Sequence, residues 1–182
     1  MEKIVVAGAG TMGAGIAFVA AQAGYAVDLV EPDPAAQDRA KQRIAKDAER
    51  AKASDAPARV NYYAAVQSGT QAVLAIEAVP ERLDLKRQVF AALASALAPD
   101  ALLATNTSSL SVSEIASCVE RPERVLGLHF FNPPALMKLV EIVHAEQTDD
   151  EALLRAREIV ERMGKTAVVT ADTPGFIVNR VA

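Results

Sequence analysis

The chain has 182 residues, of which 51% are hydrophobic and 23% charged, a composition typical of a globular protein with one sizeable core. The formal charge of −4 and the lack of a basic face argue against nucleic acid as a partner. No apolar run is long enough to cross a bilayer, so we predict no membrane partner either. The single cysteine, Cys118, cannot form an internal disulfide, and we therefore expect a reducing, cytoplasmic location. Two histidines and one cysteine without clustering predict no metal site.

The first predicted strand, Lys3–Ala7, runs directly into a glycine-rich turn and then into a helix. In the pattern G-x-G-x-x-G, Gly8 allows the tight turn, Gly10 lets a pyrophosphate approach the backbone, and Gly13 lets the helix pack on the strand. The N-terminus of that helix attracts phosphate groups. The cofactor site predicted from this turn comprises Gly8, Gly10, Thr11, Met12 and Gly13. A βα turn that binds nothing remains the alternative. The sequence around the motif has to distinguish between these two interpretations.

Strands and helices alternate along the rest of the chain. Further strands are predicted at 26–30, 72–78, 101–105, 125–130, 139–143 and 166–170. Helices are predicted at 13–23, 34–53, 81–98, 111–116 and 150–163. The segment 59–66 fits no element clearly and is read as a short strand and a turn. This alternation predicts an α/β fold with a Rossmann-like doubly wound, largely parallel sheet.

Glu31 follows the second strand, at the distance from the glycine turn at which dinucleotide-binding folds carry an acidic residue. A carboxylate in this place accepts hydrogen bonds from the adenosine ribose and repels a 2′-phosphate. We therefore predict NAD rather than NADP as the cofactor. A solvated glutamate at the end of a strand is the alternative, and the glycine turn before it favours the ribose.

His129 lies at the end of the predicted strand 125–130, beside aromatic residues and before a double proline. Histidine suits proton transfer near neutral pH, and Glu141 on the next apolar stretch is expected to face it and stabilise its charged form. With NAD bound, the pair predicts alcohol oxidation, with Ser108 and Asn179 holding the substrate oxygens. A histidine satisfied within a core is the alternative reading.

The sequence resembles the NAD-binding domain of the L-3-hydroxyacyl-CoA dehydrogenases, including the bacterial 3-hydroxybutyryl-CoA type. The matching stretches, in family order, are 8–13, 77–81 with Lys86, 106–110, 128–133, 137–141 and 172–180. The resemblance implies NAD-dependent oxidation of a short-chain L-3-hydroxyacyl-CoA to the 3-oxoacyl-CoA, and the reverse. It also implies a place in fatty-acid β-oxidation or related acyl-CoA metabolism.

The resemblance further implies a role for each matching residue. His129 would be the catalytic base and Glu141 its partner. The implied substrate-binding residues are Ser108, Asn132 and Asn179. The cofactor-binding residues predicted beyond the glycine turn are Glu31, Glu81, Lys86 and Asn106, with Glu81 also near the histidine.

Residues 1–178 are predicted to form the dinucleotide-binding domain with its catalytic residues, and 179–182 to start a C-terminal helical domain. In the family that domain completes the substrate site and forms the dimer, so we expect a homodimer only where it is present, and low activity without it. The segment 34–60 is shorter than the helical hairpin that helps to clamp CoA in the family, which leaves the CoA contacts open. Two alternatives remain: a dehydrogenase of a small hydroxy acid without CoA, and a non-catalytic NAD-binding relative.

Overall fold

The computed structural model describes residues 1–173 and 175–176. The strands in this part of the chain are β1 (Lys3–Ala7), β2 (Ala26–Val30), β3 (Val60–Tyr63), β4 (Leu74–Glu77), β5 (Leu102–Thr105), β6 (Val125–Phe130), β7 (Leu139–His144) and β8 (Thr166–Ala171). The helices are α1 (Thr11–Gln22), α2 (Pro34–Ala51), α3 (Leu83–Ala96), α4 (Val112–Ala116) and α5 (Asp150–Arg162).

The described strands form a single sheet in the order β3-β2-β1-β4-β5-β6-β7-β8. All neighbouring pairs are parallel except β6 and β7, so the last two strands run opposite to the first six. The strand order changes direction at β1, because the chain moves outward to β2 and β3 and then returns to β4 on the other side. The predicted Rossmann-like, largely parallel sheet is confirmed. In such sheets ligands bind at the carboxyl ends of the two strands on either side of this switch point.

Alternate residues of β1 enter two separate hydrophobic cores. Ile4 and Val6 pack on the side that carries α1, α2 and α5, whereas Val5 and Ala7 pack on the side of α3 and α4. Helices therefore cover both faces of the sheet, which explains why its central strands are apolar throughout.

Two features of these elements bear on the site. The segment 59–66, read from the sequence as a short strand and a turn, contains the edge strand β3, which pairs in parallel with β2 from Val60 onward. Helix α3 begins at Leu83 rather than at residue 81, so Glu81 lies in the loop after β4. In that loop its carboxylate is free to reach a neighbouring strand end. No helix within the described residues is long and apolar enough to span a membrane.

Replacing Gly13 with alanine is expected to destabilise the fold, because a Cβ at this position would lie 1.8 Å from the Gly8 carbonyl oxygen. We expect a loss of about 3 kcal/mol, the upper end of the range for overpacked sites. Gly10→Ala is the matched control, since its Cβ would meet nothing within 4 Å. Urea unfolding of both variants measures the difference, and equal stability would show that the turn does not hold α1 this tightly.

Candidate active site

The glycine turn places the N-terminus of α1 at the edge of the sheet where ligands bind. Gly8 has a φ of +100°, and a Cβ there would lie 2.8 Å from the Ala78 carbonyl oxygen, so the turn packs directly against the chain after β4. Helix α1 has no side-chain cap and no acidic residue in its first turn. A Cβ at Gly10 would meet nothing within 4 Å, so the uncapped start of α1 has room for an anionic group such as a pyrophosphate.

Glu31 is held beside this turn. One carboxylate oxygen accepts a hydrogen bond from the Ala9 N–H at 3.1 Å, and the other accepts one from the Asp33 N–H at 3.1 Å. A cavity of about 350 Å³ adjoins Glu31 and is bounded by Gly8, Pro80 and the apolar side chain of Leu85. The acidic end and the apolar walls fit an adenosine group, so this region of the chain has the features that NAD binding needs.

His129 and Glu141 contact each other across the antiparallel strands β6 and β7. They are directly opposite in register, and His129 Nδ1 lies 2.7 Å from Glu141 Oε2. Both side chains are buried, at 8% and 1% exposure. A carboxylate at Nδ1 favours the tautomer with its proton on that nitrogen, which leaves Nε2 for proton exchange with a substrate.

Two aromatic rings flank the imidazole. The Phe131 ring centroid lies 4.5 Å from that of His129, and the Phe176 centroid lies 5.6 Å away, both in tilted geometry. Phe176 is only 2% exposed. Phe176 lies in one of the matching stretches but has no role predicted from the sequence, since nothing in the local pattern connects it with a histidine 47 positions earlier.

A second cavity, of about 340 Å³, opens beside His129 and brings several predicted residues together. Those that line it are Met12, Glu81, Asn106, Ser108, His129 and Asn132. Val79 lines both this cavity and the one at Glu31, so the two are neighbours along one crevice. Asn106 also accepts a hydrogen bond from the Phe130 N–H at 2.9 Å, which ties the end of β5 to the end of β6. Asn179 lies outside the described residues.

Glu81 anchors the loop that carries Ser108. Its Oε1 accepts hydrogen bonds from the Thr107 hydroxyl and from the backbone N–H groups of Ser108 and Ser109, the latter two at 3.0 and 3.2 Å. Burial raises the pKa of Glu81, but the hydrogen bonds from Thr107 and Ser108 and the charge of Lys86 outweigh it. The net effect is a pKa below the ordinary value, so Glu81 is an anion at neutral pH.

Lys86 lies behind Glu81 and is 1% exposed. Its ammonium group is 2.8 and 3.1 Å from the two carboxylate oxygens of Glu77 and 3.2 Å from Glu81 Oε2. Glu77 also accepts a hydrogen bond from the Thr105 hydroxyl at 2.8 Å. Glu77 and Thr105 are not predicted from the sequence as site residues, and the contact of Lys86 with NAD stays a prediction.

The loop after β6 packs on the dinucleotide-binding helix. A Cβ at Gly15 of α1 would lie 2.9 Å from the ring of Pro134, so the helix and the loop touch without a side chain between them. Lys165 holds the same loop from the other side, because its ammonium group donates to the carbonyl oxygens of Pro134 and Met137 at 2.6 and 2.9 Å. Burial lowers the pKa of Lys165.

These features define the class of the domain: a Rossmann-type dinucleotide-binding fold that carries a histidine–carboxylate pair beside the cofactor crevice. Within the residues that the structure describes, no group of three or more histidine, cysteine or acidic residues is arranged to hold a metal ion. The family model described as "3-hydroxyacyl-CoA dehydrogenase, NAD binding domain" matches residues 3–173. The chain belongs to this family, and NAD is the cofactor of its domain.

Relatives at the level of the whole chain carry related names. A "Probable 3-hydroxybutyryl-CoA dehydrogenase" of Bacillus subtilis is 40% identical, with 100% of this chain and 66% of the relative covered. A "Fatty acid oxidation complex subunit alpha" of Acinetobacter baylyi is 36% identical, with 100% and 26% covered. The crystal structure of 3-hydroxybutyryl-CoA dehydrogenase from Escherichia coli superposes with a TM-score of 0.94 at 42% identity, covering 100% of this chain and 40% of that one. The chain thus spans less than two thirds of each of these proteins.

Substitution of Lys86 by methionine is expected to destabilise the protein by about 3–5 kcal/mol, because it leaves the buried carboxylate of Glu77 without its cation. The double variant Glu77→Gln/Lys86→Met should lose less, since that carboxylate is then removed as well. Urea unfolding measures both. Lys41→Met, which removes an exposed pair with Asp38, is the control and should change stability by less than about 1 kcal/mol. A loss as small for Lys86→Met as for Lys41→Met would contradict this account.

Glu81→Gln is expected to reduce the acid sensitivity of the fold. The pKa of Glu81 is lower in the folded protein than its value of about 4.3 in an unfolded chain. The ionised form therefore contributes stability above about pH 4.3, and this contribution is lost as the pH falls through the lower folded pKa. Unfolding free energies measured from neutral to acidic pH should decline less steeply for Glu81→Gln than for the wild type. Glu158→Gln, at an exposed position on α5, serves as the control and should leave the slope unchanged.

Proposed function

We propose that the protein is an NAD-dependent dehydrogenase that oxidises the 3-hydroxyl of short-chain L-3-hydroxyacyl-CoA thioesters and catalyses the reverse reduction. The observation that carries this proposal is the buried His129–Glu141 contact in the crevice that begins at the N-terminus of α1. The names of the relatives support a CoA thioester as the substrate class and a place in fatty-acid oxidation or related acyl-CoA metabolism.

His129 is the proton carrier in the proposed reaction. Its Nδ1–H donates to Glu141, and its Nε2 accepts the proton of the substrate hydroxyl. The negative charge of Glu141, 2.7 Å away, stabilises the imidazolium that results. NAD held at the glycine turn and Glu31 would supply the hydride acceptor for the oxidation of carbon 3, and NADH the hydride donor for the reduction. In that direction His129 gives its proton back to the oxygen on carbon 3.

Ser108 is proposed to orient the substrate oxygen. Its side chain is exposed at the cleft, while its backbone N–H is bound to Glu81, so the hydroxyl is presented from a fixed loop. The rings of Phe131 and Phe176 pack beside the imidazole and limit its contact with water, which strengthens its interaction with Glu141. Asn132 lines the same cleft and is proposed, with Asn179, to complete the substrate contacts.

The proposal extends to the domain organisation of the protein and to its association into dimers. We propose that residues 1–178 act as the dinucleotide-binding domain and that 179–182 lead into a helical domain through which two copies associate. The greater length of the relatives supports such a further domain. A reducing, cytoplasmic location is proposed on the single cysteine of the sequence.

His129→Gln is expected to abolish most of the turnover and leave cofactor binding intact, because glutamine fills the space but has no group that can take up or release a proton near neutral pH. General acid–base catalysis contributes roughly 10²- to 10⁴-fold, so kcat for reduction of acetoacetyl-CoA by NADH should fall by that factor. NADH affinity is measured by calorimetry on the same samples. His144→Gln is the matched control, since this second histidine lies at the far end of β7 and bonds the Ala145 carbonyl oxygen. Full activity of His129→Gln would refute the assignment of the base.

The substrate class is tested by comparing acetoacetyl-CoA with free acetoacetate at equal concentration, on this chain and on the protein extended past residue 182. We expect turnover with the thioester. Turnover of acetoacetate alone would favour a dehydrogenase of small hydroxy acids. NADH binding without turnover of either compound by the extended protein would favour a non-catalytic relative.

A further inference from the structure

Strand β8 carries the chain away from the active site. Val168 is level with the histidine–glutamate pair, since it is opposite Glu141 in the register. Ala171, the last residue of β8, is opposite His144, which in turn pairs with Leu126 near the start of β6. Yet Phe176, five residues later, contacts the His129 ring. The chain must therefore reverse its direction between Ala171 and Phe176.

Asp172 lies at this reversal, and its carboxylate is bound to a distant part of the chain. Oδ2 accepts hydrogen bonds from the Ser111 hydroxyl and the Ser113 N–H, both at 2.8 Å, and Oδ1 accepts one from the Val112 N–H at 3.0 Å. These donors form the start of α4. Burial raises the pKa of Asp172, but the bonds from Ser113, Val112 and Ser111 outweigh it and keep the pKa below the ordinary value.

The far end of the reversal is fixed in an uncommon conformation. Phe176 has a φ of +49°, and its N–H donates to the Thr173 carbonyl oxygen at 2.9 Å, which closes the turn. A bulky residue in the left-handed region is rare and persists only where its surroundings hold it. Here the holding contacts are the core around α4 and the His129 ring on one side, and the bonds of Asp172 on the other.

The same carboxylate also bounds the loop that carries Ser108. Glu81 binds Thr107, Ser108 and Ser109 at the front of this loop, and Asp172 binds Ser111, Val112 and Ser113 at its back. The loop is thus held between two carboxylates that follow different strands, Glu81 after β4 and Asp172 after β8. Displacement of either one would release the backbone on which the Ser108 hydroxyl is presented.

We infer that Asp172 is a positioning residue for the reaction: by binding the start of α4, it keeps the Ser108 loop and the Phe176 ring in place around His129. Among the described contacts, Asp172 touches neither His129 nor Ser108 itself, so it acts through these neighbours. The inference rests on the proposed function, because it assigns His129 and Ser108 to the chemistry.

The test compares Asp172→Ala with a matched loss of a helix cap elsewhere. Asp149 accepts a hydrogen bond from the Ala152 N–H at the start of α5, so Asp149→Ala removes a capping carboxylate of the same kind far from His129. We expect kcat for acetoacetyl-CoA reduction to fall about ten-fold or more in Asp172→Ala, since misplacement on the scale of an ångström costs up to about 10² in rate. NADH affinity should stay unchanged, and Asp149→Ala should keep wild-type kcat even though it loses a capping hydrogen bond.

Asp172→Asn serves as the conservative variant, because its amide oxygen can still accept the bond from Val112, and its kcat should lie between those of Asp172→Ala and the wild type. Ser111→Ala, which removes the hydroxyl bond to Asp172 together with the cap on the Glu114 N–H, replaces Asp172→Ala if that variant does not fold. Wild-type kcat in Asp172→Ala, or an equal loss in Asp149→Ala, would overturn the inference.

A readout that does not need turnover separates this inference from the proposed function. In NMR spectra, Asp172→Ala should speed the hydrogen exchange of the Val112 and Ser113 amides and shift the His129 ring signals, whereas Asp149→Ala should do neither. An inactive wild type would refute the proposed function and leave these spectra as the test of the positioning role. Unchanged His129 signals in Asp172→Ala would refute that role even in an active enzyme.

Discussion

The antiparallel pairing of β6 with β7 is the constraint on which the site depends. Residues opposite each other in such a pair project from the same face of the sheet, so the register that matches His129 with Glu141 brings their side chains together. Glu141 is 1% exposed, and a buried carboxylate is costly unless a partner satisfies it. The burial of the acid and the orientation of the imidazole therefore require each other, and a slip of one residue would lose both.

The cofactor half of the domain is predictable because its determinants are local. The turn from Gly8 to Gly13 and the acid at Glu31 each follow a strand directly, and the parallel sheet brings these strand ends together whatever the details of the core. The contact between His129 and Glu141 could also be predicted from the sequence, since each residue lies on an apolar stretch and the two stretches are consecutive. In these cases the local sequence and the tendency of consecutive strands to lie side by side are enough to predict the site.

The parts that sequence reasoning missed are set by contacts between distant segments. The family resemblance assigns Lys86 to the cofactor, but its burial depends on Glu77 approaching from β4 and has no signal in the sequence. Asp172 reads as part of a loop, yet its partners lie about sixty positions earlier at the start of α4. In each case the contact is determined by tertiary packing, and the spacing of residues along the chain does not predict it.

The contact between Gly15 and Pro134 joins the two halves of the crevice through the body of α1. The first turn of this helix adjoins the glycine turn, where the dinucleotide phosphates are expected. Its second turn contacts Pro134 in the loop that carries Asn132. Any tilt or shift of the helix at its dinucleotide end is passed to that loop, because no side chain lies between them to absorb the movement. Substitutions in α1 that alter cofactor preference will therefore also reshape the cavity beside His129, so the two cavities cannot be engineered independently.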